Sequence, residues 1–135
     1  MDAQHKFFRL GVPTVAYTDP HIHVQAAALL RKGDVVLAIS RGGRSADLID
    51  SARIAREQGA TLVAITAAGS PLAKLAHIAV LVDTPEDPDI YTPMTSRLAQ
   101  LAVVDVLSVC VALKRGASLA PALERAKAAL ARKRV

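Results

Sequence analysis

Hydrophobic positions follow two periods along this chain. Residues 35–40 (Val-Val-Leu-Ala-Ile-Ser), 61–66 (Thr-Leu-Val-Ala-Ile-Thr) and 78–82 (Ile-Ala-Val-Leu-Val) are short aliphatic runs without polar alternation. Such runs predict strands covered on both faces. Residues 12–18 predict a further strand, ahead of these three. Between them apolar residues recur every three or four positions, as on one face of a helix. Leu48, Ile49, Ala52 and Ala55 form one such face, with Arg53, Arg56 and Glu57 pointing outward.

Punctuation supports the same division. Asp19-Pro20 and Ser70-Pro71 each place a capping residue before a proline suited to a first helical turn. The first predicts a helix through Val24, Ala27, Ala28 and Leu30, ending at Lys32-Gly33. The second predicts a short helix with Leu72, Leu75 and Ala76 inward. Residues 2–10 predict an N-terminal helix with Phe7, Phe8 and Leu10 inward, closed by Gly11. Residues 84–93 carry three prolines and three carboxylates, so they predict a loop over the carboxyl ends of the strands. Thr95 or Ser96 opens a long helix to about Arg115, ended by Gly116, and its apolar residues point nearly all round. Ser118 opens a last helix with Leu119, Leu123 and Leu130 on one face. Strands alternating with single helices are repeated βαβ units. The expected fold class is α/β: a parallel, doubly wound sheet of about four strands flanked by helices.

Composition narrows the function. The 135 residues suit one domain, expected to span 1–135 with a basic C-terminal helix at 117–135. Two Phe, two Tyr and no Trp leave an aliphatic core and no stacking platform for single-stranded nucleic acid. The net charge of +5 gathers largely in the tail, at Lys127, Arg132, Lys133 and Arg134, and reads as a solvated helix end. Cys110 is the single cysteine, which argues against a disulfide framework and for a reducing cytoplasm. Asp2, Gln4, His5, Lys6 and Arg9 interrupt any signal core. The longest apolar segment, residues 98–113, contains Gln100, Asp105 and Ser108 and falls short of the roughly 20 residues a bilayer needs. It predicts a buried helix rather than a membrane span. Asp105 within it needs a hydrogen-bonding partner or an interface.

Candidate chemistry sits where the first of the three aliphatic runs ends. Ser40-Arg41-Gly42-Gly43-Arg44-Ser45 joins it to the next helix, and two glycines allow a sharp turn with exposed amides. Amides beside a helix N-terminus attract anions, and two hydroxyls and two guanidiniums stand in the same stretch. Arg44, placed in the first helical turn, is opposed by the helix dipole and hints at an anion that offsets it. A phosphate-bearing small ligand is the expected guest. His21 and His23 are two apart, on different faces of a helix, so no metal site is expected, and no cofactor motif is present.

These residues resemble the sugar isomerase (SIS) domain, the phosphosugar-binding module of isomerases, glucosamine-6-phosphate synthase and RpiR-type transcription regulators. The resemblance rests on residues 33–45 (Gly-Asp-Val-Val-Leu-Ala-Ile-Ser-Arg-Gly-Gly-Arg-Ser), 59–66, 70–76 and 91–101 (Tyr-Thr-Pro-Met-Thr-Ser-Arg-Leu-Ala-Gln-Leu). With Asp105, the last segment is most similar to the HexR-like repressors of sugar-acid catabolism. The resemblance implies a phosphorylated sugar or sugar acid as effector, such as 2-keto-3-deoxy-6-phosphogluconate. It also implies a homo-oligomer and DNA contact only through a helix-turn-helix module that these residues do not contain. The family loop is usually Ser-x-Ser-Gly-x-Thr. Ser40, Gly43 and Ser45 fit it, but Gly42 replaces the middle serine, and a lost hydrogen bond to a charged group is worth roughly 1.5–3 kcal/mol. The family also has a strand and a glycine-serine loop ahead of a helix like residues 2–11, so the domain is expected to be N-terminally incomplete. The alternatives are an aldose–ketose isomerase with Glu86 as base, or an oligomerisation module without ligand.

Overall fold

The structure, a computed structural model, describes residues 1–85 and 94–132. The elements in chain order are α1 (Asp2–Arg9), α2 (Pro20–Ala28), β1 (Val35–Ile39), α3 (Ala46–Glu57), β2 (Thr61–Thr66), α4 (Pro71–Leu75), β3 (Ile78–Leu81), α5 (Thr95–Arg115), a 3-10 turn at Gly116–Ser118 and α6 (Ala120–Ala131). They divide into two compact units, Tyr17–Gln100 and the remainder, Met1–Ala16 with Leu101–Val135.

The first unit holds a parallel sheet of order β1-β2-β3 flanked by helices, as expected for an α/β protein. Val35 pairs with Thr61 and Ile39 with Ile65, while Val63 pairs with Ile78 and Thr66 with Leu81. Ala38, Leu62 and Ala64 of the sheet pack with Ala52 of α3 and Leu72 of α4, so both crossover helices cover the same face. Leu62, Ile65, Leu72 and Thr66 are the largest fully buried side chains. Ala27, Ala55 and Ala60 form a second cluster, in which small side chains let α2 lie close against α3. His23 Nδ1 and Ser51 Oγ, 2.7 Å apart, bridge the same two helices. The His77 ring Nδ1 accepts the Leu62 N–H at 2.9 Å, and the His77 backbone N–H donates to the Leu62 carbonyl at 2.9 Å. One histidine therefore closes the β2–β3 junction from both sides.

Caps formed where Asp-Pro and Ser-Pro predicted them. The Asp19 carboxylate accepts the N–H groups of His21 and Ile22 at 2.8 and 3.2 Å, and Ser70 Oγ accepts that of Ala73 at 3.1 Å. Residues 12–18 do not form the expected strand. A strand exists only through a ladder, Pro13 removes one donor, and no described segment pairs with this stretch, so the described sheet has three strands.

In the second unit no residue of α1 is buried, and Phe8 is exposed rather than inward. Asp105 has the partner its position demanded. Lys6 of α1 forms an ion pair with it and a second with Asp2 at 3.2 Å. The Arg115 guanidinium donates to the Leu10 carbonyl at 2.7 Å. The long helix has the expected bounds, and its 21 residues reach membrane-spanning length, but within this chain it is not the buried helix expected: Val104 is enclosed, but Leu98, Val106, Val109 and Leu113 are exposed, as is Cys110. All-round apolarity announces that a helix is covered without saying by what. An ion-paired aspartate at mid-helix is the kind of group a lipid-facing span excludes.

Candidate functional site

The candidate site lies at the carboxyl ends of the three strands, where open parallel sheets bind ligands. Ser40 extends the ladder, its N–H donating to the Ile65 carbonyl at 3.0 Å, and the chain then turns through Gly42 and Gly43. The turn is closed from within, because the Gly43 N–H donates to Ser40 Oγ at 3.1 Å. That hydroxyl accepts inside the loop and keeps its proton free to donate outward.

Gly43 is the pivot. It has φ +57 and is buried, and a Cβ added there would lie 2.8 Å from Ser70 Cβ and closer still to Ser70 Oγ and Thr66 Oγ1. No side chain fits. Its carbonyl accepts the Leu72 N–H at 3.2 Å, tying the loop to the first turn of α4, and the buried hydroxyls of Thr66 and Ser70 stand 3.3 Å apart behind it. The Arg41 carbonyl accepts the Ala67 N–H at 3.0 Å. The loop after β1 is therefore locked against the loop after β2.

Beside this turn is an open hollow of about 380 Å³, lined by Arg41, Gly42, Arg44, Ala67, Val82, Asp83 and Thr84. Of the six loop residues singled out from sequence, Arg41, Gly42 and Arg44 line it. Ser40, Gly43 and Ser45 are outside its lining; the first two build the turn and the third begins the helix. Arg44 is not in the first helical turn. Ser45 holds the cap position with extended backbone (φ −63, ψ 118) and α3 begins at Ala46, so Arg44 precedes the cap and is exposed. The dipole penalty assigned to it does not apply in that form. Ser45 itself makes no side-chain cap bond, so the first-turn amides of α3 take nothing from its hydroxyl. Glu86 lies outside the described residues.

Asp83 was not singled out from sequence. Its carboxylate accepts the Ala68 N–H at 3.0 Å, which orders the loop after β2 and offsets part of its charge. Two guanidiniums thus share the hollow with one engaged carboxylate, and the balance favours an anionic guest. Its place directly after a predicted strand was the available signal. Among the described residues no group of three or more His, Cys, Asp or Glu could hold a metal ion.

Comparison with known proteins agrees with this fold. The SIS domain family matches residues 1–110. The chain is 47% identical over 129 residues to the HTH-type transcriptional regulator HexR of Escherichia coli, covering 96% of this chain and 45% of that protein. It is 45% identical over 130 residues to HexR of Pseudomonas aeruginosa, covering 96% and 46%. The chain thus spans about half the length of these relatives. Among solved structures, the Vibrio vulnificus NanR protein complexed with ManNAc-6P superposes with a TM-score of 0.84 at 22% identity, over 95% of this chain and 48% of that one. A parallel sheet with a glycine turn packed against the second strand's loop, and a family match over most of its length, place this chain in the SIS domain family.

Proposed function

We propose that this chain binds a phosphorylated sugar or sugar acid and serves as the effector domain of a carbohydrate-metabolism transcription regulator. The observation that carries the reading is the hollow beside the locked glycine turn, where Arg41 and Arg44 stand at the carboxyl ends of the strands. Two guanidiniums suit a phosphate, which takes several charge-assisted hydrogen bonds at once. Support comes from the regulators named HexR that share nearly half the residues, and from a NanR structure that holds a sugar phosphate. Within that class, 2-keto-3-deoxy-6-phosphogluconate is the proposed effector.

The same reading places the protein in the cytoplasm as a homo-oligomer, with the exposed apolar residues of α5 as subunit contact and DNA contact made by a segment outside these 135 residues. Calorimetric titration tests the ligand. Binding of 2-keto-3-deoxy-6-phosphogluconate is expected, with no binding of its unphosphorylated counterpart. Replacing Arg44 by Ala removes a charged partner and should weaken binding about tenfold or more. Equal affinity for the phosphorylated and unphosphorylated acids would overturn the reading.

A further inference from the structure

Three charged side chains line the hollow at the strand ends without pairing with one another. Arg41 and Arg44 stand on the loop after β1, and Asp83 follows β3. Among the described residues no ion pair joins either guanidinium to that carboxylate. Asp83 uses one oxygen, Oδ1, to accept the Ala68 N–H, and among the described residues no donor reaches the other. An ionised carboxylate offers about four acceptor sites, so most of its capacity is open, and the residue is exposed. A phosphate held by the guanidiniums is repelled by this carboxylate. What meets Asp83 is therefore the rest of the guest. At about 380 Å³ the hollow is near the small end of the range for small-molecule sites, so a phosphate with a short carbon chain fills it.

We propose that Asp83 is a specificity-determining residue, its free oxygen accepting a hydroxyl of the guest and so selecting hydroxylated phosphate esters over bare ones. This rests on the phosphosugar reading above and adds which residue tests the guest beyond its phosphate. Guanidiniums attract a phosphate whatever is esterified to it, so Arg41 and Arg44 alone distinguish such esters poorly. A site that hydrogen-bonds a hydroxyl rejects an analogue lacking one far more strongly than a site that merely has room for it. Asparagine separates the two roles of Asp83. Its side-chain carbonyl keeps an acceptor for the Ala68 N–H, while its amide puts a neutral donor where the free oxygen was.

The test uses the 135-residue chain and the variant Asp83→Asn. Each is titrated calorimetrically with 2-keto-3-deoxy-6-phosphogluconate, whose carbon chain carries hydroxyls, and with ethyl phosphate, which has none. The variant is expected to bind the sugar acid about tenfold or more weakly, the scale of a lost hydrogen bond to a charged group. It is expected to bind ethyl phosphate more tightly, because a negative charge has left the lining. Its melting temperature should match that of the parent. A carboxylate that only repelled anions would, once neutralised, raise both affinities, and that result would overturn the inference. So would a fall in both, which would make Asp83 a support for the arginines, and so would a clear drop in melting temperature, which would assign the carboxylate to the fold. A parent chain that binds neither probe removes the phosphosugar reading and this inference with it. A parent that binds the sugar acid, with an affinity indifferent to the variant, removes the inference alone.

Discussion

Gly43 concentrates the structural demands of the site in one residue. Its left-handed backbone costs a residue with a Cβ roughly 1–2 kcal/mol, and here the Cβ would also collide with two buried hydroxyl side chains. Overpacking adds about 1–3 kcal/mol. Gly43→Ala is therefore expected to lower stability by about 2 kcal/mol or more in urea denaturation, and to abolish ligand binding where the protein still folds. His77 presents a different case. Its ring accepts the N–H of Leu62, a residue with no exposed surface. His77→Ala would leave that donor unpaired at a cost of about 1–3 kcal/mol. His77→Asn, which keeps an acceptor, should recover part of the loss, and equal losses in the two variants would count against the pin.

At the scale of elements, the central one is β2, paired on both sides and buried along most of its length. Leu62→Ala is expected to cost about 2–5 kcal/mol by chemical denaturation, because α3, α4 and the sheet all meet around that side chain. The three strands were legible because unbroken aliphatic runs carry their own signal. The helices after Asp19 and Ser70 were legible because a cap and a proline act locally. Residues 12–18 look like a strand and are not one, since pairing depends on a neighbour that composition does not reveal. The inside and outside of α5 were equally hidden: Leu98 and Val104 are both aliphatic, but one is exposed and the other enclosed. Within the site, Ser40 to Ser45 was legible as a turn from its glycines. Asp83 lies some 40 residues further along and meets the loop after β2 only in space. Arg44 was assigned to the first helical turn, but it precedes the cap residue Ser45 and so stands outside the helix.

At the scale of the whole molecule, the parallel sheet of three described strands, the locked glycine turn and the pair of arginines support the proposed affinity for a phosphorylated sugar acid. Thermal unfolding of the purified chain with added ligand tests this most directly, because anything that binds the folded state alone stabilises it. At a hundred times its dissociation constant, 2-keto-3-deoxy-6-phosphogluconate should add about 2.7 kcal/mol, and the same acid without phosphate should add nothing. A melting temperature unmoved by every phosphorylated sugar and sugar acid tried would contradict the account.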